Sequence, residues 1–178
     1  GISMCGASLA SALFPWLEAP LRAALDQAGS HAVLVHGPDG VGQFEFTLAM
    51  AQALLCDERP TPTSGACGKC ASCRLVAART HPDLLVIVPD ALRLSLGWGE
   101  VDASAEEGTG ASASRAKPSK EIRVDAVREA IAFAQATNSR GHGKIVVVHP
   151  AEAMNAIASN AMLKTLEEPV GQTRFLLA

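Results

Sequence analysis

The sequence predicts an α/β fold of the phosphate-loop type, a mainly parallel sheet flanked by helices, with a small insertion that carries four cysteines. Two observations predict it. Apolar, β-prone runs of strand length alternate with stretches of helical periodicity along the 178 residues, the pattern of a parallel sheet covered on both faces. The first of these runs passes through a glycine-rich turn straight into a helical segment, the strand–loop–helix layout of a phosphate loop.

Each element has its own signal. Residues 21–27 read as a short amphipathic helix, with Leu21, Ala24 and Leu25 at helical spacing before the Gly29-Ser30 break. Ala32-Val33-Leu34-Val35 is the first strand, residues 36–42 are the glycine-rich turn, and a helical pattern resumes over 44–55. After Cys56 comes a connection rich in Pro, Thr and Ser, then a cysteine cluster ending at Cys73, so residues 56–73 form an insertion ahead of the second strand at 84–88. Residues 91–120 are rich in Ala, Ser, Gly and Glu without a sustained period, which predicts a long flexible loop. Asp125 is the expected N-cap of a helix reaching about residue 136, with Val127, Ala130, Ile131 and Ala134 as its buried stripe. A third strand follows at 144–148, a long helix at 154–168 stopped by Pro169, and a fourth strand at 173–177. No internal repeat is present.

Gly1-Ile2-Ser3 ahead of Met4 reads as the remnant of a cleaved tag, and residues 1–13 as a flexible N-terminus. Residues 14–178 then form one nucleotide-pocket domain, expected to be cut short at its C-terminal end because the last strand has nothing after it to close the fold.

Composition excludes several function classes. With 48% hydrophobic residues, 19% charged residues and a formal charge of -3, the chain is neither a disordered polymer nor a polycation built to coat nucleic acid. Lysines and arginines are scattered, and two Trp with no Tyr leave little for base stacking, so independent single-strand binding is not expected. No apolar run reaches the roughly 18 residues of a membrane span. No secretion signal follows Met4, so a cytoplasmic setting is expected, where stable disulfides are rare and a tight cysteine cluster reads as a metal site.

The glycine turn has the spacing of a phosphate loop without its chemistry. A working loop reads G-x-x-x-x-G-K-[ST], in which backbone N–H groups cradle phosphates, Lys neutralises charge and the hydroxyl holds magnesium. Gly37 and Gly42 stand at that spacing, with Gly40 between them, but Gln43 and Phe44 occupy the Lys and hydroxyl positions. Loss of the cation removes a charge-assisted contact worth roughly 1.5–3 kcal/mol, about one or two decades of affinity. ATP is therefore not expected as a cofactor, and weak nucleotide or sulfate binding at the helix N-terminus stays open. An active ATPase of this layout also needs an Asp-Glu pair at the end of the third strand to hold magnesium. Here His149-Pro150 follows Val148. Magnesium prefers oxygen ligands, so His149 reads as an ordinary strand-end residue. No catalytic residue is assigned.

Cys56, Cys67, Cys70 and Cys73 form C-x10-C-x2-C-x2-C. Two-residue spacers let thiolates converge on one ion, and four thiolates complete a closed tetrahedron with no position left for substrate, which points to structural zinc. The alternatives are a disulfide pair, which a reducing compartment disfavours, and an iron–sulfur cluster, whose usual runs are spaced differently. Cys5 stands apart and reads as a bystander. Lys164, Glu167 and Glu168 fit an ordinary charged helix face. His81-Pro82-Asp83 fits a turn ahead of a strand, with Asp or His satisfying backbone groups, and no chemistry is assigned to it.

Together with the glycine loop and the four cysteines, Phe14-Pro15-Trp16-Leu17, Thr80-His81-Pro82-Asp83, Val124-Asp125-Ala126-Val127-Arg128 and the string from Ser159 to Pro169 carry a family resemblance. The chain resembles bacterial clamp-loader subunits of the AAA+ superfamily over most of its length, apart from the loop before Lys120. The most specific part is Asn160-Ala161-Met162-Leu163-Lys164-Thr165-Leu166-Glu167-Glu168-Pro169. Within that family the ATPase subunits keep the loop Lys and the Asp-Glu pair, whereas the delta prime subunits often lack them, so Gln43, Phe44, His149 and Pro150 place the chain with the latter.

The resemblance implies a non-hydrolysing member of the heteropentamer that loads the sliding clamp onto primed DNA within the DNA polymerase III holoenzyme, a nucleotidyltransferase complex. The implied partners are the gamma/tau ATPase subunits and delta, with clamp and DNA reached through the complex. It also implies an arginine, from a Ser-Arg-Cys motif beyond Ala178, reaching a neighbour's ATP site, and later helical domains. Two features depart from the family's pattern, namely the ten-residue spacer after Cys56 and the 91–120 loop. Three classes of function follow from these readings: a non-catalytic assembly subunit, an active NTPase, which would need a cation at 43 and acids at 149 and 150, and a stand-alone nucleic-acid module, which would bind DNA by itself with strong salt dependence.

Overall fold

Residues 144–148 are the strand that the sequence specifies most strongly. Four consecutive β-branched residues, Ile145 to Val148, favour extended backbone, and in the computed structural model all of Lys144–Val148 is buried on both sides. The structure describes residues 15–27, 29–38, 40–98, 118–168 and 171–178. Within them four strands, β1 (Ala32–Leu34), β2 (Leu84–Ile87), β3 (Lys144–Val148) and β4 (Thr173–Leu177), pair in parallel in the order β1-β4-β3-β2. The expected parallel α/β sheet is therefore present.

Side-chain alternation along the strands assigns the two faces. Ile145 and Val147 of β3 and Leu176 of β4 point into one core, completed by Leu21 and Leu25 of helix α1 (Glu18–Asp26) and by helix α2 (Gln43–Leu55). Val146, Val148 and Phe175 point into the other, against Val127 and Ala130 of helix α5 (Val124–Gln135) and Ala158 and Met162 of helix α6 (Ala156–Glu167). In α2 every residue except Gln43 and Glu45 is buried, because this helix lies over the middle of the sheet. Lys144 enters the core at 5% exposure with its ammonium 4.2 Å from the centre of the Phe133 ring, a cation–π contact that partly replaces water.

Some boundaries differ from expectation. Helix α1 begins at Glu18, three residues early, on a 3-10 turn at Pro15–Leu17. Asp125 lies inside the first turn of α5 rather than at its cap; Arg123 holds the cap position with extended backbone, and Asp125 pairs with Arg128 at 3.4 Å. An acid in the first turn still faces the positive end of the helix dipole, which is why the signal fell one or two residues off. Met154 does not open α6. It bridges to Ile122, and Asn155 is the cap, its Oδ1 accepting from the Ala158 amide at 2.9 Å. Two short helices were not anticipated: α3 (Ala71–Ala77) inside the cysteine insertion and α4 (Asp90–Arg93) at the start of the expected loop. Residues 99–117 of that loop, the flexible N-terminus at 1–13 and the stop at Pro169 lie outside the described residues.

Parallel pairing places all strand C-termini on one edge of the sheet and all N-termini on the other. Helix α2 runs between these edges, starting at the glycine turn and ending at Cys56. Its 13 residues span about 20 Å at the usual rise of ~1.5 Å per residue, so the two sequence-predicted sites lie at opposite ends of the molecule.

Candidate functional site

At the C-terminal edge, the Val35 amide still donates to Leu177 O at 2.7 Å, after which the chain leaves the sheet and turns through Gly37 to Gly42. Gly40 (φ +80°) and Gly42 (φ +89°) both occupy the left-handed region, which glycine enters without a Cβ penalty. Gln43 opens α2, and its side-chain amide folds back to donate to the Gly37 carbonyl. A Cβ on Gly37 would stand 3.3 Å from that same Gln43 nitrogen. The donor at this position is thus directed into the loop's own backbone.

Phe44 is 5% exposed and turns toward the sheet, its ring centroid 5.0 Å from that of His149 with the planes tilted by 36°. His149 stands where β3 ends, its amide donating to Ile87 O at 3.0 Å. Burial holds its imidazole below the ordinary value of 6.5, against the opposing influence of the Ala178 backbone and the carboxylates of Glu45 and Glu152. The structure thus brings Gln43, Phe44 and His149 together around the glycine turn. Next to them a cavity of about 550 Å³ opens between α1, β1 and the turn, lined by Ala24, Leu34, Val35, Gly37, Val41 and Gln43 among others. Its wall is largely apolar, and Leu34 on the edge strand is 69% exposed. An anion could meet the first turn of α2 here, where helix N–H groups point outward, but none of Gly37, Gly40, Gly42, Gln43 and Phe44 supplies a positive charge.

At the opposite edge the four cysteines converge. Their sulfurs all lie within 4.8 Å of one another, with Cys56 Sγ 3.9 Å from Cys70 Sγ and Cys67 Sγ 3.9 Å from Cys73 Sγ. A disulfide needs about 2.05 Å, whereas a tetrahedron of thiolates at ~2.3 Å from a central ion has edges of about 3.8 Å, so the spacing fits a metal ion and not a covalent pair. The backbone supports the cluster. Amides of Cys67, Cys70 and Cys73 point at the sulfurs of Cys56, Cys67 and Cys70 at 3.4, 3.3 and 3.4 Å, an arrangement that stabilises thiolates. Burial acts to raise the Cys67 thiol, but the amides of Lys69 and Cys70 and the neighbouring sulfurs bring it down to about 7. Burial raises the Cys56 and Cys73 thiols above their ordinary range. Without a cation, such a cluster must retain protons on its more buried members, and a divalent ion would release them.

The His81-Pro82-Asp83 triplet serves the turn that precedes β3. The Asp83 amide donates to His81 Nδ1 at 3.0 Å, and the Asp83 carboxylate, fully buried, accepts from the amides of Ser139 at 2.9 and 3.0 Å and Arg140 at 3.2 Å. Lys164 and Glu167 are exposed on α6, and Glu168 is exposed at its C-cap. Sequence reasoning did not find Asp57, which accepts from Ser72, Arg140 and His142. Burial would raise its carboxyl, yet the Ser72 hydroxyl and amide, His142 and the Arg140 charge together hold it below the ordinary value. Its partners lie up to 85 positions away, and no local pattern announces them.

The sequence model of a family described as DNA polymerase III, delta subunit, matches residues 19–178. A DNA polymerase III subunit delta' of Pseudomonas aeruginosa is 38% identical over 166 residues, covering 93% of this chain and 42% of the relative. The subunit delta' of Escherichia coli is 32% identical over 169 residues, with 93% and 42% covered. The Escherichia coli subunit tau is 30% identical over 148 residues, covering 83% of this chain and 18% of that one. The chain thus spans less than half the length of these curated relatives. Among the described residues no helix is long and apolar enough to cross a membrane.

Proposed function

The chain belongs to the DNA polymerase III, delta subunit family, and on that premise we propose that it acts as a non-hydrolysing, delta prime-type member of a clamp loader that places the sliding clamp on primed DNA during replication. The observation that carries this reading is the state of the glycine turn. Gln43 closes the loop on the Gly37 carbonyl, and the Phe44 ring packs against His149 at the end of β3, centroids 5.0 Å apart. Those are the places where a working ATPase keeps its phosphate-binding cation, its magnesium hydroxyl and its acid pair. Nothing in that arrangement polarises a water or holds magnesium. The chain then contributes shape to the assembly, and its partners are ATPase subunits of the gamma/tau kind, delta, and through them clamp and DNA, in the cytoplasm.

At the other edge the four cysteines hold one structural zinc. Closed ligation by four thiolates leaves no position for a substrate, and the ion's role is to fix the insertion to the end of α2. The zinc would be held by Cys56, Cys67, Cys70 and Cys73, about 20 Å from the glycine turn and outside any chemistry there.

Isothermal titration of the chain with magnesium-ATP, beside a variant carrying Gln43→Lys and Phe44→Thr, tests the reading. The parent is expected to give no heat, and the variant to gain binding if the backbone cradle alone is intact. Micromolar binding by the parent would overturn the silent pocket and favour a second reading, an ATP-binding subunit with weak nucleotide affinity, for which the 550 Å³ cavity beside the turn is the supporting observation.

A further inference from the structure

We propose that Asp57 is the positioning residue of the cysteine cluster and that it mechanically couples a bound metal ion to the turn that feeds β3; this rests on the metal reading of the four cysteines. Asp57 directly follows Cys56, and Ser72 directly precedes Cys73. The Asp57 carboxylate accepts from the Ser72 amide at 3.2 Å and from its hydroxyl at 3.0 Å. One side chain therefore closes the 57–72 loop, which carries Cys67 and Cys70 and is flanked directly by Cys56 and Cys73. Ser72 is fully buried while the Asp57 side chain is 28% exposed, so the closure is shielded from competing water on the Ser72 side.

The same carboxylate reaches out of the insertion. Arg140 Nη1 donates to Asp57 Oδ2 at 3.2 Å, and His142 Nε2 lies 3.2 Å from Oδ1. Both belong to the turn that the buried Asp83 carboxylate holds through the Ser139 and Arg140 amides, and that Asn138 tightens by accepting from the Gly141 amide at 3.0 Å. A continuous path of hydrogen bonds thus runs from the cysteine loop through Asp57 and the 138–142 turn to Asp83 beside β2. Electrostatics gives a reason for the cationic partners. Four thiolates around a divalent ion leave a net charge of about -2, and a carboxylate next to them would be repelled unless its own charge were taken up elsewhere. Arg140 does this at every ordinary pH.

Two closures of one loop, one by the ion and one by Asp57, reinforce each other, because each lowers the entropy that the other must overcome. Removing the carboxylate should loosen metal retention, and removing the metal should loosen the 138–142 turn, which touches no cysteine sulfur among the hydrogen bonds of the cluster.

The test uses the full chain loaded with zinc. Zinc release to a chromophoric chelator is followed in the parent, in Asp57→Ala and in Asp57→Asn, and backbone amide exchange over 138–143 is compared with and without zinc. Asp57→Ala is expected to release zinc roughly 10- to 100-fold faster, the usual scale for groups that orient metal ligands. Asp57→Asn, which keeps an acceptor for Ser72 but no charge for Arg140, should fall between. In the parent, zinc removal should speed exchange in the turn, and in Asp57→Ala that zinc dependence should vanish. If Asp57→Ala fails to fold, an Arg140→Gln, His142→Gln double variant, which leaves the cysteine loop untouched, must lose the same dependence. Parental release rates in both Asp57 variants, or turn exchange indifferent to zinc in the parent, would overturn the coupling. A parent that takes up no zinc would sink the metal reading itself, and the coupling with it.

Discussion

At the residue scale, burial pushes two histidines, the buried His81 and the half-buried His149, below their ordinary pKa in different settings. His149 packs against Phe44, whereas His81 uses Nδ1 as an acceptor for the Asp83 amide and so must keep that nitrogen unprotonated. Burial lowers the His81 pKa below its ordinary 6.5, with the Asp83 charge opposing and the Arg140 charge adding to the effect. A histidine depressed in the folded state contributes stability that is complete above the unfolded value and is lost as pH falls through the folded one. Urea unfolding between pH 8 and 5 should therefore show stability falling below about pH 6.5. The fall should be shallower in His81→Asn, whose amide oxygen can accept the same bond without titrating; an unchanged slope would show that His81 is not the group responsible. The triplet was legible in sequence as a turn device, but the depth of its burial was not. That depends on Ser139 and Arg140, more than fifty residues on.

At the element scale, entry into the central strands rests on glycine. Gly143 precedes β3 at φ +79°, and a Cβ there would collide with the Gln172 carbonyl. Gly141 shares the same backbone conformation, yet nothing lies within 4 Å of where its Cβ would be. Gly143→Ala should therefore cost the left-handed penalty plus a backbone clash, about 2 kcal/mol or more, while Gly141→Ala costs about 1 kcal/mol. Thermal melts of the two variants would check the difference, and equal losses would mean that the clash is relieved at no cost. The sequence located all four strands to within one residue, because runs such as Ile145 to Val148 have no other stable use. Helix ends were less legible. Asp125 and Asn155 are both good caps by residue type, yet Asn155 caps its helix while Arg123 holds the cap position ahead of Asp125.

At the scale of the whole molecule, the sheet separates the glycine turn from the cysteine cluster, with α2 as the rod between them. Chelation should then act on one end only. Stripping metal from the loaded chain is expected to speed amide exchange over 56–73 and lower the melting temperature, while exchange over 36–42 stays as it was. Changes of similar size at both ends would mean that α2 transmits the loss, and that the cluster bears on the pocket after all. Such a change could pass through Cys56, which caps α2, and through Gln52, buried in α2 and donating to Cys73 O at 3.1 Å.

The sequence by itself determined the parallel α/β class, the glycine turn with Gln43 and Phe44 in it, and the four-cysteine spacing. All of these are local patterns, fixed by side-chain periodicity, by the conformational freedom of glycine and by ligand type. Only the tertiary structure decided that Gln43 closes onto Gly37, that Phe44 meets His149 and that Asp57 joins the cysteine loop to Arg140 and His142. The last two pair residues from segments far apart in the chain, and the first needs the turn already folded. Those two become visible once the fold has brought the segments together.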